Sequence, residues 1–157
     1  MTEKITETEY RALGELRYLI RRFVQEGDVT AKQAGLEPQQ YLLLLAIRGL
    51  PNGQEATISK LAERLSLRHH STVELIDRLE SHGFVKRMRS KEDRRQVLVA
   101  LQPRGMKLLE KVVEQRIIEL RANGRALVEA IGSLLEPRKR VFSSHGRRRG
   151  RSAARTR

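Results

Sequence analysis

Apolar residues recur at helical intervals along most of this chain. Leu13, Leu16, Ile20 and Phe23, with Tyr10 and Leu19 at the edges of the stripe, predict a first helix over residues 5–26. Its other wheel positions hold Arg11, Glu15, Arg22 and Glu26. Gly27-Asp28 is the expected stop, followed by one short turn at residues 31–34 before Gly35. Pro38 suits the first position of a second helix, where its missing N–H is not needed. The run at 41–47 is apolar on nearly every side and predicts a helix buried between other elements. It breaks at Gly49-Leu50-Pro51-Asn52-Gly53.

Ile58, Leu61, Ala62 and Leu65 then mark a short helix, and Ser66-Leu67-Arg68 a break. Thr72, Leu75, Ile76 and Leu79 mark another helix, closed at His82-Gly83, where Gly can turn left-handed. After Phe84-Val85-Lys86-Arg87-Met88 and a charged turn from Arg89 to Arg95, Val97, Val99 and Leu101 alternate with Leu98, Ala100 and Gln102, a return strand. Glu55-Ala56-Thr57 is placed to add a third, short strand. Met106, Leu109, Val113, Ile117 and Leu120, widened by Val112 and Ile118, predict a long helix from Pro103. Asn123-Gly124 interrupts it. A last helix over 126–135, with Leu127, Ile131, Leu134 and Leu135, is ended by Pro137.

The predicted fold is mainly α with a small β-hairpin wing. An N-terminal helix and linker (1–35) precede a winged helix-turn-helix core (36–102), followed by C-terminal helices (103–136) and a basic, disordered tail (137–157). In such a core the second helix enters the major groove of double-stranded DNA. The flanking helices carry more apolar face than one small core can cover, so a symmetric homodimer is expected.

Composition narrows the chemistry. The chain has no cysteine, which excludes disulfides, thiolate catalysis, cysteine-ligated zinc and thiol-based redox sensing. No apolar run approaches the roughly 20 residues of a membrane span, and the polar, acidic N-terminus is not a signal peptide. A soluble, cytoplasmic protein with no membrane partner is expected. Of the net charge of +13, nine units lie in residues 137–157, which hold nine basic and no acidic residues. The body keeps 23 basic against 19 acidic residues, or +4, with positive charge gathered from Lys86 to Arg95. A basic patch suits a polyanion, because neutralised phosphates release counterions. The tail adds at most non-specific affinity.

Residues 61–105 resemble the core of the MarR family of winged helix-turn-helix bacterial transcription regulators. The likeness rests on Asp77-Arg78-Leu79-Glu80, on Gly83 followed by an apolar pair, on Asp93-Arg94-Arg95 leading into the return strand, and on Pro103-Arg104-Gly105. It extends more loosely over residues 8–136. The resemblance implies a dimeric, non-enzymatic regulator, with a wing whose second Arg reaches the minor groove while the Asp helps to hold it. Arg95 is the first choice for that role and Arg94 the second; Asp77 is placed to pair with a wing Arg. Asp93 can equally do no more than shape the turn. Family members often carry Ser or Thr as a helix cap where Arg68 stands, so the cap here is expected at His69 or Ser66. The resemblance also implies a pocket for a small effector, often an aromatic acid. Its candidate walls are Tyr18, Arg22, Tyr41, Leu45, Arg48 and Met106, with Arg22 or Arg48 pairing a carboxylate.

On a wheel of ~100° per residue, His70, Glu74 and Asp77 oppose the buried face of the recognition helix, with Ser71, Val73 and Arg78 on its flanks. Base contacts come mostly from the start of such a helix, which selects Arg68, His69, His70, Val73 and Glu74. His and Arg can donate to guanine, Val can pack on a thymine methyl, and Glu can accept from cytosine N4. Ser71 and Arg78 are better placed for phosphates. His70 and Glu74 also stand at i, i+4 with His69 nearby, a weak metal pattern that groove contact explains better; no cofactor is implied. No glycine-rich phosphate loop or serine elbow points to an enzyme. Six aromatic residues and no Trp make a poor stacking platform for RNA. The main rival is a non-specific basic nucleic-acid-binding or chromosome-associated protein.

Overall fold

The computed structural model describes residues 4–135. The elements run α1 (Glu7–Gln33), α2 (Pro38–Arg48), α3 (Ile58–Leu65), α4 (His69–Ser81), β1 (Val85–Arg89), β2 (Val97–Leu101), α5 (Pro103–Asn123) and α6 (Arg125–Leu135). Pro137 and the basic tail lie outside the described residues. Among those residues, no helix is long and apolar enough to cross a membrane.

Three helices end in the same way. At the end of α1, Leu36 N–H donates to Ala31 O at 2.9 Å and Gly35 N–H to Lys32 O at 3.0 Å, with Gly35 at φ +90°. These paired bonds satisfy carbonyls that the last turn would otherwise leave open. The apolar residue that follows, Leu36, drops into the core at 2 % exposure. Gly83 and Phe84 repeat the arrangement after α4, and Ser66 and Leu67 after α3, there with a non-glycine residue at φ 54°.

The expected stop at Gly27-Asp28 is therefore wrong by two turns: α1 runs through it. Glycine ends a helix when it takes a left-handed conformation, and Gly27 does not; it is buried inside α1. Its missing Cβ leaves room for the Arg116 side chain, whose Nε would lie 3.5 Å from that atom. The turn expected at 31–34 is the last part of α1.

Leu43, Leu44, Leu61, Leu75, Ile76 and Leu79 form the centre of the core, where α2, α3 and α4 meet. The hairpin closes one side. β1 and β2 pair antiparallel from Val85–Leu101 to Arg89–Val97, with Val85 and Val99 turned inward. α5 begins so close to the hairpin base that a Cβ on Gly105 would stand 2.2 Å from Phe84 O. The third strand shrinks to a single bridge, Thr57 to Leu98. Thr57 is also the N-cap of α3, its Oγ1 accepting from Lys60 N–H at 3.2 Å, so the chain turns into the helix after one pairing.

The terminal helices are less enclosed. α6 packs along α1, and α5 packs on α1 and α2. The buried line of α5 is Gly105, Leu109, Val112 and Arg116, rotated from the predicted stripe. Ile117, Ile118 and Leu120 are left 42–54 % exposed. Leu13, Ile20 and Phe23 of α1 are likewise open. α2 is buried on one face only, since Leu42 and Leu45 are exposed at 45 % and 36 %.

Candidate nucleic-acid interface

The N-cap of α4 is Arg68, with φ −70° and ψ 151° and no side-chain capping bond. Neither expected cap serves: Ser66 is spent in ending α3, and His69 is the first helical residue. The Arg68 carbonyl instead takes two bonds, from Thr72 N–H at 3.0 Å and Thr72 Oγ1 at 3.1 Å. This pair of hydrogen bonds fixes the first turn and leaves the Arg68 guanidinium without a partner among the described residues. Opposite the buried line of Thr72, Leu75, Ile76 and Leu79, the exposed side of α4 presents His69, His70, Glu74 and Arg78. Ser71 and Val73 are half-buried on its flanks. The side chains of Arg68, His69, His70, Glu74 and Arg78 form no hydrogen bond or ion pair among the described residues. A convex row of unpaired polar groups on a rigid helix is free to exchange water for base edges or phosphates.

Arg87 ties the wing to α4. Its Nη2 donates to Asp77 Oδ1 at 2.5 Å, its Nη1 donates to Glu80 Oε2, and its backbone N–H donates to Glu80 Oε1 at 2.9 Å. Burial works against the Arg87 charge, but the hydrogen bonds it donates to the Asp77 and Glu80 carboxylates, with their negative charge, outweigh it and raise its pKa. The Asp77 expected to pair with a wing Arg does so, although with Arg87 at the root of the wing and not with Arg94 or Arg95. Sequence reasoning passed over Arg87 because its carboxylates lie seven and ten positions away, a spacing that no single-element pattern reveals.

The wing tip is organised by Ser90, which is 2 % exposed and also went unnoticed in the sequence. Its Oγ donates to the Glu55 carboxylate at 3.3 Å and accepts from the N–H groups of Glu92 and Asp93 at 3.2 and 3.3 Å. Asp93 Oδ1 then accepts the Arg95 backbone N–H at 3.0 Å. Asp93 holds the main chain of Arg95, not its guanidinium, so the turn-shaping role is the one the contacts express. The Arg94 and Arg95 side chains stay exposed and, among the described residues, unpaired. His69 and Arg95 border one cleft of about 520 Å³ together with Thr57, Ser59 and Gln96, where the start of α3, the start of α4 and the wing converge.

The six residues expected around an effector take different settings. Tyr41 belongs to the core at 9 % exposure, Tyr18 and Leu45 are exposed at 54 % and 36 %, Arg48 is exposed and Met106 half-buried. A cavity of about 260 Å³ between α1, α5 and α6 is bordered by Arg22 and by none of the other five. Its polar wall contains Arg116, which is 6 % exposed and sits on a position of α5 that the sequence pattern reserves for an apolar residue. Arg116 donates to Glu119 and, at 2.6 Å, to Phe23 O, and its guanidinium lies 4.4 Å from the Phe23 ring centre. No group of three or more His, Cys, Asp or Glu suited to a metal occurs among the described residues.

Known proteins share this fold. The MarR family profile matches residues 36–97. The uncharacterized HTH-type transcriptional regulator YfiV of Bacillus subtilis (strain 168) is 32 % identical over 123 residues, covering 77 % of this chain and 74 % of that protein. Among solved structures, a MarR family protein from Bacillus stearothermophilus superimposes with a TM-score of 0.66 at 24 % identity, over 82 % of this chain and 93 % of the other. Bordetella bronchiseptica BpsR, whose DNA binding is described as regulated by 6-hydroxynicotinic acid, gives 0.52 at 23 %, over 76 % and 97 %.

Proposed function

Because the chain belongs to the MarR family of DNA-binding transcription regulators, we propose that it is a cytoplasmic homodimeric repressor of a near-palindromic operator, with no enzymatic step. The α4 helices of the two protomers enter successive major grooves about one helical turn apart. Arg68, His69, His70, Val73 and Glu74 face base edges, while Ser71 and Arg78 meet phosphates. Arg95, seconded by Arg94, reaches the minor groove, where a narrow A·T tract concentrates negative potential. Arg87 sets the pitch of the wing through Asp77 and Glu80.

The observation that carries sequence-specific binding is Glu74. A carboxylate with no partner among the described residues, at the centre of a groove-facing surface, repels phosphates. It is useful there only if it accepts from a base, such as cytosine N4. A non-specific, chromosome-coating protein gains nothing from it. Exposed apolar groups on α1 and α5, including Leu13, Phe23, Ile117 and Ile118, support the dimer. BpsR supplies the precedent for a small acidic effector.

Footprinting on genomic fragments tests this reading: a discrete protected site with two half-sites is expected, and uniform protection of any duplex would overturn it. Glu74→Ala or His70→Ala should relax sequence preference at one position by roughly 1–3 kcal/mol. Arg78→Ala should weaken specific and random DNA alike and flatten the salt dependence.

A further inference from the structure

Residues 90–96, the tip of the wing, include no apolar side chain, and all of them except Ser90 are exposed. With nothing to pack, the tip takes its shape from hydrogen bonds, which must offset the entropy of ordering it. Two main-chain bonds close it on itself: Ser90 N–H donates to Gln96 O at 3.0 Å and Gln96 N–H to Asp93 O at 2.9 Å. Neither sets where the tip points. Among the described residues, the Ser90 hydroxyl is the one group that ties the tip by hydrogen bonds to anything outside the hairpin. A hydroxyl has one proton to donate and two lone pairs to accept with. Ser90 uses all three. Its proton is shared between Glu55 Oε1 and Oε2 at 3.3 Å each, and its lone pairs take the Glu92 and Asp93 N–H groups. The two contacts to Glu55 are long for O–H···O bonds, as sharing one proton between two oxygens entails. Glu55 is itself held in place by its neighbours in the α2–α3 linker: Ala56 O accepts Val99 N–H at 2.9 Å, and Thr57 bridges to Leu98. At the other end, Asp93 holds the Arg95 N–H at 3.0 Å. A line of four residues thus runs from the linker to the main chain of Arg95.

We propose that Glu55, acting through Ser90, is a positioning residue for the DNA contact of Arg95. This rests on the reading of Arg95 as the minor-groove residue. The clasp sets the point from which the Arg95 side chain starts, and so the distance its guanidinium has to span. Its charge gives the proposal a sign. Arg89, Lys91, Arg94 and Arg95 make the wing basic, and a carboxylate beside them subtracts from the attraction to phosphates. By electrostatics alone, losing Glu55 should tighten DNA binding. As the anchor of the clasp, losing it should weaken binding.

The probe is a duplex selected by the parent chain from a random-sequence pool, titrated with the full chain and its variants. Arg95→Ala should weaken binding about tenfold, and Ser90→Ala severalfold. The double variant should bind no worse than Arg95→Ala alone, because Ser90 then has nothing left to position. Glu55→Gln keeps an oxygen that can accept from Ser90 and should bind at least as well as the parent. Glu55→Ala removes the same charge without replacing the acceptor, and should bind severalfold more weakly. Glu55 is exposed, so neither change threatens folding. Glu55→Ala binding as tightly as the parent, or additive losses for Ser90→Ala and Arg95→Ala, would overturn the proposal. Hydrogen exchange in the free protein separates it from the reading it rests on. The Glu92 and Asp93 amides should exchange faster in Ser90→Ala and Glu55→Ala, and unchanged rates would remove the clasp while leaving Arg95 in its groove. Arg95→Ala at parent affinity would instead remove the minor-groove reading, and the role of the clasp with it.

Discussion

The winged core and the helices that flank it solve the burial problem in opposite ways. In the core, α2, α3, α4 and the hairpin cover one another: Leu43, Leu44, Leu61, Ile76 and Leu79 are fully enclosed within one copy of the chain. The first twenty residues of α1 contain no fully buried side chain, and Ile117, Ile118 and Leu120 of α5 remain open. The core closes its own interior and presents mostly polar groups outward, with Leu42, Leu45, Met88 and Val97 the exposed apolar exceptions. The flanking helices are an unfinished surface whose apolar groups face the same solvent. A change in the core should therefore cost folding, whereas a change on the flanking helices should cost assembly.

The largest effect is expected from Gly105→Ala. A Cβ there meets the Phe84 carbonyl at 2.2 Å, and that oxygen also accepts the Gln102 N–H at 2.9 Å. Both partners are backbone, so no rotamer relieves the clash, and α5 must move off the hairpin. Overpacking costs about 1–3 kcal/mol, occasionally more, and a clash with a backbone group at 2.2 Å belongs at the upper end. Thermal or urea unfolding of the variant should show a large loss of stability, and near-native stability would mean that the start of α5 is looser than described.

Next in size is Ile117→Glu, aimed at the other region. Ile117 is 42 % exposed, so association can bury only that part of a side chain whose full burial contributes roughly 1.5–3 kcal/mol. Glu there adds the desolvation of a charge, and the proposed two-fold dimer carries the change twice. The dimer dissociation constant should rise at least about a hundredfold, and tight operator binding should fall with it, while the helical content of the core is retained. Light scattering that still reports a dimer of ordinary affinity would move the interface away from this face of α5.

The same contrast explains what could be read in the sequence. Core elements were legible because each is defined by local spacing: the periodicity of α3 and α4, the alternation of β2, and Gly83 at the turn between α4 and β1. Errors gathered where a residue answers to something distant. Gly27 looks like a helix stop by itself and becomes a packing position only once Arg116 is beside it. Arg116 breaks an apolar stripe for the sake of a contact 93 positions away, with Phe23 O. The pairing of Arg87 with Asp77 and Glu80 and the hold of Ser90 on Glu55 likewise join elements whose relative placement no periodicity encodes. The exposed face of α4 was legible from the helical wheel, but its cap was not. Arg68 closes the helix with its backbone carbonyl and leaves no side-chain signature.

The smallest predicted effect sits where the two regions touch. Tyr41 is a core residue at 9 % exposure, and its hydroxyl forms no hydrogen bond among the described residues. Burial raises its pKa above the ordinary value of 10.0, and the nearby Arg116 charge opposes only part of that shift. The folded state thus holds the phenolic proton more tightly than the unfolded chain does. The resulting stability is fully present below pH about 10 and is lost as pH rises through the raised folded value. Tyr41→Phe has no proton to lose. Near pH 7 it should match the parent chain within about 1 kcal/mol, since no hydrogen bond is broken. Above pH about 10 the parent should lose stability faster than the variant, and the gap between their urea midpoints should widen with pH. Parallel midpoints from pH 7 to 11 would show that the Tyr41 hydroxyl is solvated in the folded protein, and that the junction between α2 and α5 is more open than its buried residues indicate.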